Sequence, residues 1–243
     1  QAEDGIRDRS PSRGLGDVYK RQVLDNGHAP VVGERYFHFD EDLFNLCPDH
    51  VSLNGFFQSE KYFKNVEYYL RKDFVFHEDI SEPCREMIDS LESAPIFLHV
   101  RRGDPNLTDP RGFKWSYTEC SDQHPPQPLE YYEKALELFP EDVPVVVCSD
   151  SPEWVQEQEI FKPDRFAISI PEDKYDDGSY EPFIDLCLMS LCSGAIIANS
   201  TMSWWGAWLQ GGRGKVVAPK MWFGPAYPNN DTKDLYPEGW TLL

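Results

Sequence analysis

From Ala94 onward the chain alternates between short, continuously apolar runs and longer amphipathic ones. PIFLHV (95–100), PVVVCSD (144–150), RFAISI (165–170), GAIIANS (194–200) and KVVAPK (215–220) read as strands. PLEYYEKALELF (128–139), SPEWVQEQEIF (151–161), EPFIDLCLMSLC (181–192) and TMSWWGAWLQ (201–210) read as helices. Strands apolar at every position are buried on both faces, and strict strand–helix alternation closes into a parallel sheet with helices on both sides. The fold class is α/β, with a Rossmann-like unit over 93–243.

The pattern before Ala94 is less regular. RYFHFDEDLF (35–44) and VSLNGFFQSEKYFKNVEYYL (51–70) are aromatic-rich. The second opens as a strand and turns helical, with Tyr62, Phe63, Val66, Tyr69 and Leu70 on one face. Glu82 to Leu91 reads as a further helix. Residues 1–22 carry dense charge and no apolar period. They resemble translated adapter sequence or a disordered leader and are not expected to belong to the fold. The expected division is therefore 1–22, 23–92 and 93–243.

Composition narrows the partners. With 42 acidic against 23 basic residues, the formal net charge is −19. Such a chain repels phosphate backbones and anionic lipid, so nucleic acid is not an expected partner. No apolar run reaches the length of a membrane-spanning helix. The six cysteines contain no CxxC pair, which argues against structural zinc and for reduced, mostly buried thiols.

Ligands of open parallel sheets bind beyond the carboxyl ends of the strands. Three such ends are chemically loaded. HVRRGD presents His99, Arg101, Arg102 and Asp104. CSDSPEW presents Ser149 and Asp150. NSTMSWWG presents Asn199, Ser200, Thr201 and Ser203. Adjacent guanidinium forks suit a diphosphate, and surface ion pairs are the plain alternative. A hydroxyl-rich helix start offers free N–H groups to an anion, beside ordinary capping. His99 is equally read as a satisfied buried histidine. Asp150 reads as a ribose or guanine contact or as part of a cap. Trp204, Trp205 and Trp208 read first as core. The long polar segment 103–128 is of a kind that more often carries function than filler.

Together GFFQSEKYF (55–63), HVRRGD (99–104), YYEKALEL (131–138), CSDSPEWVQEQ (148–158), DLCLMSLCSGAIIANSTMSWWGAWL (185–209), APKMWF (218–223) and LYPEGW (235–240) resemble the α-1,2-fucosyltransferases of glycosyltransferase family 11. The resemblance implies a GT-B-like fold with GDP-fucose bound in the C-terminal Rossmann-like half. It implies inverting, metal-independent transfer of fucose to a galactose-containing glycan, with no cofactor beyond the donor substrate. Carried over, Arg101 and Arg102 hold the donor diphosphate, with Arg102 the catalytic contact. His99 and Asp104 shape that loop. Asn199, Ser200 and Ser203 line the donor pocket, to which the strand-end reading adds Thr201, Ser149 and Asp150 as donor contacts. Asp104 and Asp109 are the candidates for a general base, beside a reading as turn residues. The GxGNQ segment that usually opens the family is missing, so 23–92 is expected to be the remnant of an N-terminal, acceptor-side domain. Expected locations are the bacterial cytoplasm, at the periphery of the inner membrane, or the Golgi membrane of an animal. The competing expectations are a non-catalytic GDP-sugar-binding fragment and a transferase for another GDP-sugar.

Overall fold

The computed structural model describes residues 30–108, 114–116, 120–169 and 182–243, with the side chains of 104–108 and 114–116 left aside. The five apolar runs and one further short strand form a six-stranded, wholly parallel sheet. Its members are β3 (Ile96–Val100), β6 (Val145–Ser149), β7 (Phe166–Ile168), β8 (Ala195–Ile196), β9 (Val216–Ala218) and β10 (Thr241–Leu242). The order across the sheet is β10-β9-β8-β3-β6-β7. The chain thus starts in the middle at β3, runs out to β7, and returns to the other side of β3 at β8. This is the doubly wound order, and its reversal lies between β3 and β8.

Every residue of β3 and β6 is buried. Alternate side chains feed two cores. Phe97, Val146, Cys148, Ala195 and Ile197 pack under α6 (Pro182–Leu191) and α7 (Thr201–Leu209). Ile96, Leu98, Val100, Val145 and Val147 pack under α4 (Leu129–Leu136) and α5 (Pro152–Glu157). Burying a side chain of this size stabilises the fold by roughly 1.5–3 kcal/mol. The two faces explain why these strands read as unbroken apolar runs rather than alternating ones.

The segment before β3 packs on the first of these cores. It comprises β1 (Val31–Gly33), α1 (Glu41–Leu46), β2 (Ser52–Asn54), α2 (Glu67–Asp73) and α3 (Glu78–Asp89). β1 and β2 pair in parallel as a separate two-stranded sheet. Phe63 stacks on Trp205 at 5.2 Å and meets Trp204 and Trp208 edge-on. Trp204 and Trp208 are buried core residues, as their spacing suggests, and Trp205 packs partly buried against the same core.

Several boundaries differ from the sequence pattern. The helix expected from Glu82 begins at Glu78, because His77 caps it and Pro83 sits inside it rather than at its start. The helix expected through Tyr62 is two short 3₁₀ turns, Glu60–Tyr62 and Lys64–Val66, before α2. The expected loop after β3 contains an antiparallel hairpin, β4 (Gly103–Thr108) with β5 (Lys114–Ser116). β10 is two residues long and carries no sequence signature. All six cysteines are free thiols.

Candidate functional site

The reversal of strand order opens a crevice at the carboxyl ends of β3 and β8, where two of the loaded strand ends emerge. Arg101 leaves β3 on one side, and Asn199, Ser200 and Thr201 lead from β8 into α7 on the other. These four residues line one cleft of about 460 Å3, closed by Gln58, His124, Trp222 and Tyr227 among others.

The β3 end is held by Asp150, which follows β6. Its carboxylate accepts from the backbone N–H of Arg102 at 3.0 Å and of Gly103 at 2.7 Å. It also pairs with Arg101 Nη1 at 2.6 Å. Gly103 has φ +75°, the left-handed region that glycine adopts without strain. Asp150 therefore clamps the turn and aims the Arg101 guanidinium. Ser149 is spent nearby, its Oγ accepting from the N–H of Ser151 at 3.0 Å.

The two arginines part company. Arg101 lines the cleft. The Arg102 guanidinium lies 3.9 Å from the ring centroid of Trp154, on α5, and is not among the cleft-lining residues. His99, beneath Arg101, is buried and its Nδ1 has no hydrogen-bond partner among the described residues. Burial first, and then the Arg101 charge, hold its pKa down to about 3, so the imidazole is neutral. His124 is also held below the usual histidine range, by burial and then by Arg101. The Arg101 charge acts on both imidazoles.

At the β8 end the side chains divide again. Asn199 is buried, and its Nδ2 donates to the carbonyls of Pro125 at 3.0 Å and Trp222 at 3.1 Å. This amide ties two loops to the strand end. Its Oδ1 is buried without a partner among the described residues, as is Gln58 Oε1 across the cleft. A buried carbonyl oxygen left unpaired is costly, and a bound hydroxyl or N–H would satisfy it. Ser200 is the N-cap of α7, yet its side chain makes no capping bond. Its Oγ is not engaged with the helix, and the first-turn N–H groups face the position where an anion binds a helix start. Ser203 is different. It is fully buried and donates to the carbonyls of Ala198 and Ser200, so it belongs to the helix rather than to the cleft wall.

Of the base candidates, Asp104 lies in β4, and Asp109 falls outside the described residues. The cleft residues that motif reading did not single out include Phe56, Gln58, His124, Trp222, Phe223, Tyr227 and Asn230. Phe56, Gln58, Trp222 and Phe223 sit inside the family-like motifs, and His124 in the long polar segment. Among the described residues no group of three or more His, Cys, Asp or Glu side chains is arranged to hold a metal ion. Nor is any described helix long and apolar enough to cross a membrane.

A doubly wound sheet with a basic, amide-lined cleft at its switch point is the architecture of nucleotide-dependent α/β enzymes. The sequence model of glycosyl transferase family 11 matches residues 16–243, and the chain belongs to this family of glycosyltransferases. Similar proteins include the O-antigen biosynthesis glycosyltransferase WbnK of Escherichia coli. It is 33% identical over 180 residues, covering 70% of this chain and 53% of that one. The alpha-1,2-colitosyltransferase of Escherichia coli is 30% identical, covering 79% and 62%. Human galactoside alpha-(1,2)-fucosyltransferase 1 is 24% identical, covering 71% and 46%. The chain thus spans about half the length of the curated relatives it matches. The crystal structure of NodZ alpha-1,6-fucosyltransferase co-crystallised with GDP aligns with a TM-score of 0.40 at 12% identity, covering 82% of this chain and 59% of that one.

Proposed function

We propose that this chain transfers fucose from GDP-fucose to a hydroxyl of a galactose-containing glycan, with inversion, forming an α-1,2 linkage. The observation that carries the reading is the shared cleft of Arg101 and the α7 start. Family membership and the relatives named for fucosyl transfer support the sugar and the linkage.

In this reading the acceptor oxygen attacks the anomeric carbon as the bond to the β-phosphate breaks. GDP leaves with the bonding pair, and the acceptor proton passes to a base, for which Asp104 and Asp109 are the candidates. Negative charge grows on the leaving phosphate. Arg101, held by Asp150, and the N–H groups at the start of α7 are fixed donors for that charge. Such preorganised contacts are worth roughly 3 kcal/mol each in the transition state. Asn199 Oδ1 and Gln58 Oε1 are acceptors for donor groups of the nucleotide sugar.

A second reading has one specific support, the 30% identity to a relative named as a colitosyltransferase. It keeps the reaction and changes the donor sugar. Incubation of the purified chain with lactose and a panel of GDP-sugars separates the readings. We expect GDP release and a fucosylated product with GDP-fucose. Transfer from a different GDP-sugar alone supports the second reading. Tight GDP binding with no transfer from any donor leaves a binding fragment.

A further inference from the structure

A second cleft, of about 530 Å3, adjoins the first and shares Phe56 and Asn230 with it. Its walls are polar and aromatic, including Tyr36, Asn54 and Asp231. Phe56 stands between the two clefts and is 76% exposed. Its ring offers an apolar face to anything bound at the junction of the two clefts.

The turn beneath Phe56 is pinned by a network of hydrogen bonds around Glu34. Glu34 Oε2 accepts from the N–H groups of Phe56 and Phe57 at 3.0 and 3.1 Å, and Glu34 Oε1 accepts from the Tyr62 hydroxyl at 2.8 Å. That hydroxyl in turn accepts from the N–H of Asp40, whose carboxylate is buried against Arg35. A Cβ on Gly55 would come within 2.6 Å of Glu34 Cβ, so only glycine fits. Phe57 has φ +50°, a strained conformation for a side-chain-bearing residue. A turn strained at Phe57 and pinned by Glu34 thus holds an aromatic ring out between two clefts. The network around it uses the Glu34 carboxylate for holding the turn.

We propose that the second cleft is the acceptor-sugar subsite, with Phe56 the platform on which a galactoside stacks and Asn230 and Asp231 reading its hydroxyls. Sugars present one apolar C–H face and a rim of hydroxyls, which an exposed aromatic ring beside amides and a carboxylate matches. Asp231 is held ionised by Lys233, whose N–H donates to it at 3.0 Å, so it accepts from hydroxyl groups. The shared wall puts a sugar on Phe56 next to a donor in the first cleft. The assignment of the sugar as an acceptor rests on the transfer reaction proposed above.

The test uses the purified chain, with lactose and GDP as separate probes, read by saturation-transfer NMR and calorimetry. We expect saturable lactose binding that weakens at least tenfold in Phe56→Ala and in Asp231→Asn, with both variants melting like the wild type. Asp231 lines only the second cleft, so GDP affinity is expected to change less than twofold in Asp231→Asn. Lactose binding unchanged in both variants, or absent where GDP binds, overturns the proposal. So does a parallel loss of GDP and lactose in Asp231→Asn. Failure of GDP alone to bind overturns the donor reading and leaves the lactose arm to decide the subsite.

Discussion

The Arg101 guanidinium meets the Asp150 carboxylate at 2.6 Å across the ends of two neighbouring strands, with both side chains largely shielded from water. The same carboxylate holds the N–H groups of Arg102 and Gly103. Asp150 is therefore a positioning residue whose removal releases the arginine from its aim. In Asp150→Asn the charge that holds Arg101 is lost. A charge-assisted hydrogen bond contributes about 1.5–3 kcal/mol. We expect about a tenfold or greater loss in GDP affinity and a melting temperature lowered by several degrees. Calorimetry and thermal denaturation check this. Unchanged GDP affinity means that Arg101 is aimed without Asp150.

The neighbouring arginines are expected to separate in kinetics. Arg101 lines the cleft, and Arg102 lies over Trp154. Arg101→Ala is expected to lower kcat by a hundredfold or more, the loss of roughly 3 kcal/mol of transition-state stabilisation. Arg102→Ala removes a cation–π contact worth about 0.5–2 kcal/mol, and its first effect is on stability. This reverses the weight that the HVRRGD motif suggests, where Arg102 reads as the catalytic contact. A larger kcat loss in Arg102→Ala than in Arg101→Ala would restore it.

The centre of the sheet was legible in the sequence because β3, β6, β8 and β9 are buried on both faces, and continuous apolar runs between helices leave few alternatives. The cleft was partly legible for the same reason. A parallel sheet puts its chemistry at the carboxyl ends, and Arg101, Asn199, Ser200 and Thr201 lie there together. Side-chain direction was not legible. Nothing in the run HVRRGD says that Arg102 turns to Trp154, or that Asp150 closes the turn from another strand. Ser203 reads like Ser200 in sequence, yet three residues further along, inside the helix, it turns into the core. Phe56, Gln58 and Asn230 reach the cleft from segments without a regular apolar period. β10 and the β4–β5 hairpin are too short or too polar to register as strands.

Helix packing gives a prediction in which two effects compete. Gly206 sits inside α7 against Met189 of α6, and a Cβ there would lie 2.6 Å from Met189 Cβ. Helix propensity alone favours Gly206→Ala by about 1 kcal/mol. The clash is with an atom next to the backbone, which cannot swing aside, and overpacking of this kind costs about 1–3 kcal/mol or more. We expect the clash to win and the variant to be less stable in urea unfolding. A stabilised variant would mean that α6 and α7 can move apart freely.

Asp185 supplies the pH dependence. It lies in the first turn of α6, nearly buried, and its Oδ1 accepts from Ser169 Oγ at 2.7 Å. Burial raises its pKa to about 6, against the opposing pull of its hydrogen bonds from Ser169 and Cys148. Between about pH 4 and pH 6 the native state keeps a proton that the unfolded chain has released. Stability from this group is therefore fully present below the unfolded value and is lost as pH rises through about 6. The shift corresponds to a few kcal/mol at most, since one pKa unit is about 1.4 kcal/mol. Asp185→Asn keeps an oxygen to accept from Ser169 and removes the buried charge. We expect the variant to match the wild type near pH 4 and to exceed it by about 1–3 kcal/mol at pH 8 in urea unfolding. Stability curves that run parallel across that range would show that Asp185 does not titrate there.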